Sequence, residues 1–467
     1  MSRRAAAAVV VVVALLVAAG LIVHSRSGSG SPASDRTVAG SGRTRSSSPG
    51  HATTSSQAST TTTDPPAPVW RVGWGSAMAW GYGVIDNATV RNQVTVATGG
   101  EAVRFRISNV FGNAPLLIGA GTVGVSTGAS AVDPASLHPL TFGGSASTSI
   151  PVGTVAYTDP VSMAVTPGES LAVSLWVEGA DLVSLHPCCG TIPRDWFTAN
   201  GRGNVTSAPT LASIGIGSPF ERFVDAMDVL QTEGQGSIVV VGDSITDGYN
   251  ATTRWTDVLQ SRVDQLPPQL RRAIVNEGIT ANALTSYVHT DALTGGGPSG
   301  ISRLQRDALS QAGVSEIILL LGTNDLWFGA TAPELIEGYK QVIAEAHAAG
   351  IPIIGMTLLP RSTSRTEYWS PTDQQELQTV NHWIATSGAF NGVIDSAKAV
   401  ADVYNGQCDA HLMYPPYDSG DHLHPNAAGQ TAMANAVTGS IIGLPPLPPA
   451  RPLVVATPTP GCAAGTT

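Results

Sequence analysis

Two short polar blocks in the second half of the chain contain the residue types that nucleophilic acyl transfer requires. Gly-Asp-Ser-Ile-Thr at 242–246 follows an apolar run, and Asp-His-Leu-His-Pro occupies 421–425. On a turn or helix start, a spacing of three residues places the Asp421 and His424 side chains on one side. His424 could then accept the proton of Ser244 while Asp421 orients the imidazole. This pattern predicts a Ser-His-Asp triad in which Ser244 is the nucleophile.

Two further polar blocks follow predicted strands between the serine and the histidine. They read Asn-Glu-Gly-Ile-Thr-Ala-Asn at 276–282 and Gly-Thr-Asn-Asp at 322–325. The carboxyl ends of parallel strands meet at one edge of a sheet, which is where α/β proteins bind their ligands. We therefore expect both blocks to lie beside Ser244.

Several residues compete for these roles. His422 is only one residue from Asp421 and is less suited than His424 to share its face. Asp395 ends a predicted strand at the same edge and is a reserve candidate for the acid. Asp243 and Asp325 are expected to hydrogen-bond loop backbone, as aspartates in turns commonly do.

The elements that must position these blocks follow an alternating pattern of strands and helices over residues 237–442. Four β-branched apolar residues at 238–241 are typical of a strand buried on both faces of a parallel sheet. The order predicts a doubly wound, three-layer α/β/α domain of flavodoxin-like type. The predicted strands are 238–241, 273–275, 317–321, 353–358 and 393–395, and the predicted helices are 254–266, 301–312, 332–349, one beginning at Pro371 after an N-cap Ser370, and one after Pro425.

Residues 69–230 have a different pattern, with short apolar runs separated by Gly, Pro, Asn and Ser. The runs include 94–96, 103–107, 116–125, 150–157 and 171–177, and they predict an all-β sandwich of jelly-roll type. Alternation at 103–107 places arginines on one face of a half-buried antiparallel strand. The tryptophans of this region could stack on sugars, although core packing is the more common role of aromatic residues; they are Trp70, Trp74, Trp80, Trp176 and Trp196.

The ends of the chain have the composition of targeting and unstructured segments. Residues 1–23 combine Arg3 and Arg4 with an uncharged apolar run, which predicts either a cleaved signal peptide or a signal-anchor helix. Residues 24–68 are rich in Ser and Thr and predict a disordered stalk, and the Pro-rich residues 443–467 predict a disordered tail. The protein is therefore expected to be secreted or anchored on the outer face of the cell membrane.

Charge and cysteine content exclude some functions. A net charge of -10 over 467 residues disfavours binding to nucleic acid. Export permits disulfides, but the pairing of the four cysteines cannot be deduced from their positions. Their spacing does not fit a zinc site, and no metal or cofactor is expected. The cysteines are Cys188, Cys189, Cys408 and Cys462.

The four blocks, in this order, resemble the SGNH or GDSL-type hydrolase superfamily of esterases and lipases. The resemblance covers about 236–442, and the preceding β-rich segment is similar in arrangement to exported, xylan-esterase-like members. It implies that Ser244 is the nucleophile, His424 the general base and acid, and Asp421 its orienting carboxylate. It also implies an oxyanion hole formed by the Ser244 N–H, the Gly278 N–H and the Asn324 side chain. The chain departs from the family at Ala281, where glycine is frequent.

The expected function is that of an exported serine esterase, acting on short-chain esters such as acetyl groups on carbohydrate. Two alternatives stay open: a lipase or acylhydrolase acting on lipid esters, and a non-catalytic glycan-binding protein on a hydrolase scaffold. Trp327 and Trp369 could line an acyl or sugar pocket or pack in the core. The sequence does not specify the ester, the role of the β-rich region or the oligomeric state.

Overall fold

The computed structural model describes residues 67–187, 194–232, 234–286, 288–289, 295–364, 368–402 and 411–450. The predicted signal segment, almost all of the stalk and all four cysteines lie outside these ranges. No helix within them has both the length and the apolar character needed to cross a bilayer. The start of the predicted tail differs from expectation, because Leu444 is buried and the Pro448 carbonyl accepts a hydrogen bond from Arg262 Nε. Residues 443–450 are therefore packed against the fold.

Residues Val69–Gln231, here called the β region, consist of strands with short connections. Antiparallel pairing joins them into sheets of eight, four and three strands. The strands are β1 (Val69–Gly75), β2 (Trp80–Ile85), β3 (Ala88–Thr95), β4 (Ala102–Ser108), β5 (Leu116–Gly128), β6 (Ala131–Val132), β7 (His138–Leu140), β8 (Thr148–Ile150), β9 (Val155–Tyr157), β10 (Ser170–Val177), β11 (Asp181–His186), β12 (Asp195–Thr198), β13 (Gly215–Ser218), β14 (Glu221–Arg222) and β15 (Val224–Gln231).

The β region is an all-β sandwich, as predicted. Apolar side chains from β4 and β15 in the four-stranded sheet meet those of β3, β5 and β10 in the eight-stranded sheet, and together they form one core. The alternation of apolar residues along these strands accounts for this arrangement. One predicted strand, 150–157, is divided, because the chain turns at Gly153 with a φ of 77° and pairs separately as β8 and β9.

Two interpretations of individual β-region side chains can now be compared with the structure. Arg106 was expected on a solvated face, but it is 4% exposed and bonded to Asp225, because the α/β part of the chain covers this face.

The tryptophans of the β region mostly serve internal packing. Trp80 and Trp196 are buried, and Trp70 packs against the Arg104 guanidinium.

Residues Ser237–Ile442, here called the α/β region, contain a five-stranded parallel sheet with helices, as predicted. The elements are β16 (Ser237–Gly242), α1 (Ser244–Asp247), α2 (Trp255–Val263), β17 (Ala273–Gly278), β18 (Val288–His289), β19 (Gly296–Gly297), α3 (Gly300–Leu304), β20 (Val314–Leu320), α4 (Thr323–Trp327), α5 (Ala332–Ala348), β21 (Ile353–Met356), α6 (Pro371–Thr386), β22 (Gly392–Ile394), α7 (Ser396–Val400) and α8 (Ala427–Ala436).

The strand order β17-β16-β20-β21-β22 corresponds to 2-1-3-4-5, the flavodoxin-like arrangement. The direction of winding therefore changes between β16 and β20. Ser244 follows β16 and Asn324 follows β20, so both lie at this switch point. Among the helices, α6 begins as expected, with the Ser370 hydroxyl accepting the N–H of Asp373. The predicted helix at 301–312 is shorter, because α3 passes into a wider π-helical turn at Gln305–Leu309.

The β and α/β regions share parts of their cores, and the described residues form a single compact unit. Val72 and Ala226 belong to the apolar core of the α/β region, whereas Ile279 belongs to that of the β region. Backbone bonds also cross the interface, since the N–H of Val72 donates to the Ala312 carbonyl at 2.7 Å. Neither core is complete without the other region.

We predict that residues 67–450 unfold in one cooperative transition, because each region completes the core of the other. Circular dichroism and tryptophan fluorescence should give coincident thermal curves. A fragment of residues 235–450 should lack a cooperative transition, because it exposes the surface that β1 and β15 cover. Two separate transitions in the longer chain, or native-like melting of the fragment, would contradict this interlocked packing.

Candidate active site

Ser244 is positioned by a short strand-to-helix turn at the end of β16. Every residue of β16 is buried, as expected for a central strand of a parallel sheet. Gly242 is required there, because a Cβ at this position would lie 2.2 Å from Thr246 Oγ1. The Asp243 carboxylate caps α1 by accepting the N–H of Ile245 at 3.0 Å. Ser244 thus occupies the first position of α1, and its N–H has no acceptor among the described residues.

The structure brings Ser244, His424 and Asp421 into one hydrogen-bonded chain. The distance between Ser244 Oγ and His424 Nε2 is 2.7 Å, and that between His424 Nδ1 and Asp421 Oδ2 is also 2.7 Å. Burial raises the pKa of Asp421, but bonds from His424 and the backbone outweigh it and hold this pKa well below its usual range. Asp421 is therefore ionised at neutral pH and keeps the hydrogen of His424 on Nδ1, which leaves Nε2 as the acceptor for the serine proton.

Two residues directly after α1 also support this chain, and the sequence analysis missed both. The ring of Tyr249 lies 4.6 Å from the His424 ring, and Asn250 Nδ2 donates to Asp421 Oδ2 at 3.1 Å. Asn250 adopts a left-handed φ of 58°, which asparagine tolerates better than most residues. The only sequence signal is their position immediately after Gly248, where the chain turns back towards the serine.

A buried guanidinium bonds two of the polar blocks, those at 242–246 and 276–282. Arg303 in α3 has no exposed side-chain surface. Its Nη2 donates to the Gly242 carbonyl at 2.9 Å, its Nη1 to the Glu277 carbonyl at 2.8 Å, and its Nε to Asn282 Oδ1 at 3.0 Å. Asp307, one turn further along, provides the counter-charge at 3.1 Å. Arg303 therefore fixes the ends of β16 and β17 relative to each other.

The Asn324 amide lies beside the loop that follows β17, here called the 279–282 loop. Asn324 Nδ2 donates one hydrogen to the Asn282 carbonyl at 2.8 Å, and its second hydrogen has no acceptor among the described residues. On the other side of the loop, Thr280 donates from its N–H and its hydroxyl to Asp247 Oδ2 in α1. The loop is thus held between α1 and α4.

Gly278, expected to donate its N–H to an oxyanion, has a different role. This N–H donates to Asn276 Oδ1 at 2.9 Å. A Cβ at Gly278 would lie 2.5 Å from the Asp247 nitrogen, so glycine is needed there for close packing against α1. Ala281 instead has a left-handed φ of 60°, and its N–H has no acceptor among the described residues. The geometry therefore favours the N–H of Ala281 over that of Gly278 as an available donor.

The other candidates for catalytic roles bond groups outside the triad. Asp325 accepts the N–H groups of Leu284 and Thr285, as expected for a loop-binding aspartate. Asp395 caps α7, and His424 Nδ1 bonds Asp421 instead, so Asp395 does not serve as the reserve acid. His422 is exposed and pairs with Asp418.

Trp327 and Trp369 enclose a second buried arginine near the site. The Arg361 guanidinium lies 5.6 Å from the Trp327 ring centroid and 4.8 Å from that of Trp369. Arg361 also approaches Thr323, the residue before Asn324. Both tryptophans thus pack around the loop after β20, whereas neighbouring Phe328 and Tyr368 are exposed.

This arrangement provides the groups for nucleophilic acyl transfer: a serine bonded to an imidazole, a carboxylate that orients it, and backbone and amide donors that have no acceptor among the described residues. No cluster of three or more metal-ligating side chains occurs among the residues that the structure describes. Burial raises the pKa of Asp243, directly before the serine, to about 7.

Residues 240–432 match the model of the GDSL-like lipase/acylhydrolase family. Among solved structures, the chain is similar to a catalytic mutant of Axe2, an acetylxylan esterase from Geobacillus stearothermophilus, with 19% identity over 46% of this chain and 96% of that chain, at a TM-score of 0.34. It is also similar to the lipase/acylhydrolase from Enterococcus faecalis, with 20% identity over 46% and 98% of the two chains, at a TM-score of 0.34. A third similar structure is a GDSL-like lipase from Bacteroides thetaiotaomicron, with 16% identity over 44% and 88%, at a TM-score of 0.34. None of the curated proteins matches.

We predict that Arg303→Met lowers the free energy of unfolding by about 3–5 kcal/mol, because it removes one of the two arginine partners of buried Asp307 and leaves the Gly242 and Glu277 carbonyls without their donor. Urea unfolding at neutral pH measures the effect. Arg254→Met is the matched control, since the Arg254–Asp257 pair is partly exposed and should be worth less than about 1 kcal/mol. Equal losses in the two variants would contradict the central role of Arg303.

We predict that Ala281→Gly raises the free energy of unfolding by about 1 kcal/mol, because it removes the left-handed strain of alanine. Ala283→Gly is the matched control, since Ala283 lies in the same segment and is not among the residues with positive φ. The control should lose stability through backbone entropy and the lost buried methyl group. Thermal unfolding compares the two variants, and a loss in both would rule out the assigned backbone conformation.

Proposed function

We propose that this chain, of which residues 240–432 match the model of the GDSL-like lipase/acylhydrolase family, is an exported serine esterase acting on short-chain esters of carbohydrate. The observation that carries the proposal is the continuous hydrogen-bonded chain from Ser244 Oγ through His424 to Asp421. A scaffold without catalytic function would have no need to keep this geometry together with the uncommitted donors beside it.

In the proposed acylation step, Ser244 Oγ attacks the ester carbonyl carbon and its proton passes to His424 Nε2. The resulting imidazolium is stabilised by ionised Asp421. When the tetrahedral intermediate collapses, the carbon–oxygen bond to the alcohol breaks and His424 gives its proton to the leaving oxygen. Water then attacks the acyl-serine, His424 accepts the proton of the water and returns it to Ser244 Oγ, and the carboxylic acid leaves.

The negative oxygen of the tetrahedral intermediate requires donors that are already in place. We assign this role to the N–H of Ser244, the N–H of Ala281 and the second amide hydrogen of Asn324. Support comes from their lack of other acceptors among the described residues and from the bonds that fix Thr280 and Asn282 on either side of Ala281. Loss of one such donor typically lowers the rate by about 10²- to 10³-fold.

The substrate and location are supported by sequence features. The basic and apolar residues 1–23 and the Ser/Thr-rich residues 24–68 favour a protein that is secreted or held on the outer face of the membrane. Together with the resemblance to xylan-esterase-like proteins, this location favours acetylated polysaccharide over intracellular esters.

We predict that residues 67–450 hydrolyse p-nitrophenyl acetate and that Ser244→Ala reduces the rate to background. Asp421→Asn should fold normally and lower kcat by about 10⁴-fold, because the amide no longer holds the productive tautomer of His424. His422→Asn is the matched control and should keep its activity, since the His422 side chain is exposed and bonds Asp418 rather than a member of the triad. Equal rates for the unaltered chain and Ser244→Ala would refute the assignment of the nucleophile.

The same proteins distinguish the alternative substrates. Acetate release from acetylated xylan, compared with fatty-acid release from triglyceride emulsions, separates a carbohydrate esterase from a lipase. Binding to xylan without Ser244-dependent release of either acid would indicate a non-catalytic glycan-binding protein.

A further inference from the structure

The 279–282 loop is attached to the β region as well as to the α/β region. Ile279 is fully buried, and it packs in the apolar core of the β region although the chain around it belongs to the α/β region. The following residue, Thr280, donates to Asp247 from both its N–H, at 3.2 Å, and its hydroxyl, at 2.7 Å. The segment that presents Ala281 therefore begins with two anchored residues.

A histidine of the β region completes this attachment from the opposite side of Asp247. His186 ends β11, and its side chain is only 4% exposed. Its Nδ1 lies 2.9 Å from the Ala77 carbonyl oxygen, and its Nε2 lies 3.4 Å from Asp247 Oδ1. Both of these neighbouring oxygens only accept hydrogen bonds, so the imidazolium form, which carries hydrogen on both nitrogens, suits the position.

Asp247 thus bridges the two regions with its two carboxylate oxygens. Oδ1 faces His186 of the β region, and Oδ2 accepts both bonds from Thr280. Burial raises the pKa of Asp247, but the charge of His186 and the hydrogen bonds of the carboxylate outweigh it and lower the pKa to about 2. Asp247 is therefore an anion at neutral pH and can accept both bonds from Thr280.

We infer that the β region is a positioning element for catalysis, in which His186 acts through Asp247 and Thr280 to hold the N–H of Ala281 towards the reacting carbonyl. This inference rests on the proposed function, since it assigns His186, Asp247 and Thr280 to the support of the oxyanion donors. None of the three needs to touch the substrate. The β region then contributes to transition-state stabilisation whether or not it also binds glycan.

Thr280→Val tests the inference with little change in shape, because it removes only the hydroxyl bond to Asp247. We predict that kcat for p-nitrophenyl acetate falls by about 10- to 100-fold while KM stays within about twofold, because the donor is misplaced only in the transition state. Thr206→Val is the matched control. Thr206 is similarly buried, and its hydroxyl bonds Asn204 within the β region, so its loss should leave kcat unchanged.

A second pair of variants tests the link through the β region. His186→Gln retains an N–H that can reach Asp247, whereas His186→Leu retains none. We expect kcat of the folded protein to be about tenfold higher for His186→Gln than for His186→Leu, because only the amide can still bond the buried carboxylate. Thermal unfolding of each variant identifies the folded fraction, so that a change in kcat is separated from a loss of stability.

The possible outcomes are distinct. If Thr280→Val and both His186 variants keep kcat within about twofold of the unaltered chain, the β region has no positioning role. The inference then fails, while the proposed esterase function stands. If His186→Leu does not fold, the comparison of Thr280→Val with Thr206→Val decides. If the unaltered chain has no Ser244-dependent esterase activity, the proposed function fails and the inference fails with it.

Discussion

The geometry of the site depends on the buried guanidinium of Arg303. Its donors join the Gly242 carbonyl at the end of β16, the Glu277 carbonyl in β17 and the Asn282 side chain. A guanidinium suits this task because it is planar and presents several donors in a fixed arrangement. Asn282 in turn accepts from Asn324 through its carbonyl, so one cation fixes the relative positions of three separate polar blocks.

The same charge network links the two regions of the molecule. Asp307 pairs with both Arg303 and Arg306, and Arg306 donates to the Met78 carbonyl in the β region. Burial and the charge of Asp307 raise the pKa of Glu277 well above its usual range, which favours its neutral form in this interface. The β region therefore contributes a partner to the buried charged groups of the α/β region.

The parts that could be predicted from sequence are those that depend on local spacing. Strand β16, the Ser370 cap of α6 and the pairing of Asp421 with His424 follow from an apolar run, a capping residue and a three-residue spacing. The burial of Arg106 could not be predicted. Alternation along a strand assigns residues to its two faces, but it does not identify what packs against each face. Arg303 and His186 act through contacts distant in sequence, and no local pattern marks such residues.

The oxyanion donor, Gly278 or Ala281, also could not be predicted from local sequence. The family resemblance implies the glycine as the donor, whereas in the structure Gly278 serves close packing against Asp247. Left-handed alanine costs about 1–2 kcal/mol and persists only where its surroundings determine it. Here Thr280 is bonded to Asp247 on one side and Asn282 to Arg303 on the other. The strain at Ala281 is thus offset by bonds from its two neighbours to α1 and α3, which explains why a residue other than glycine can occupy the position.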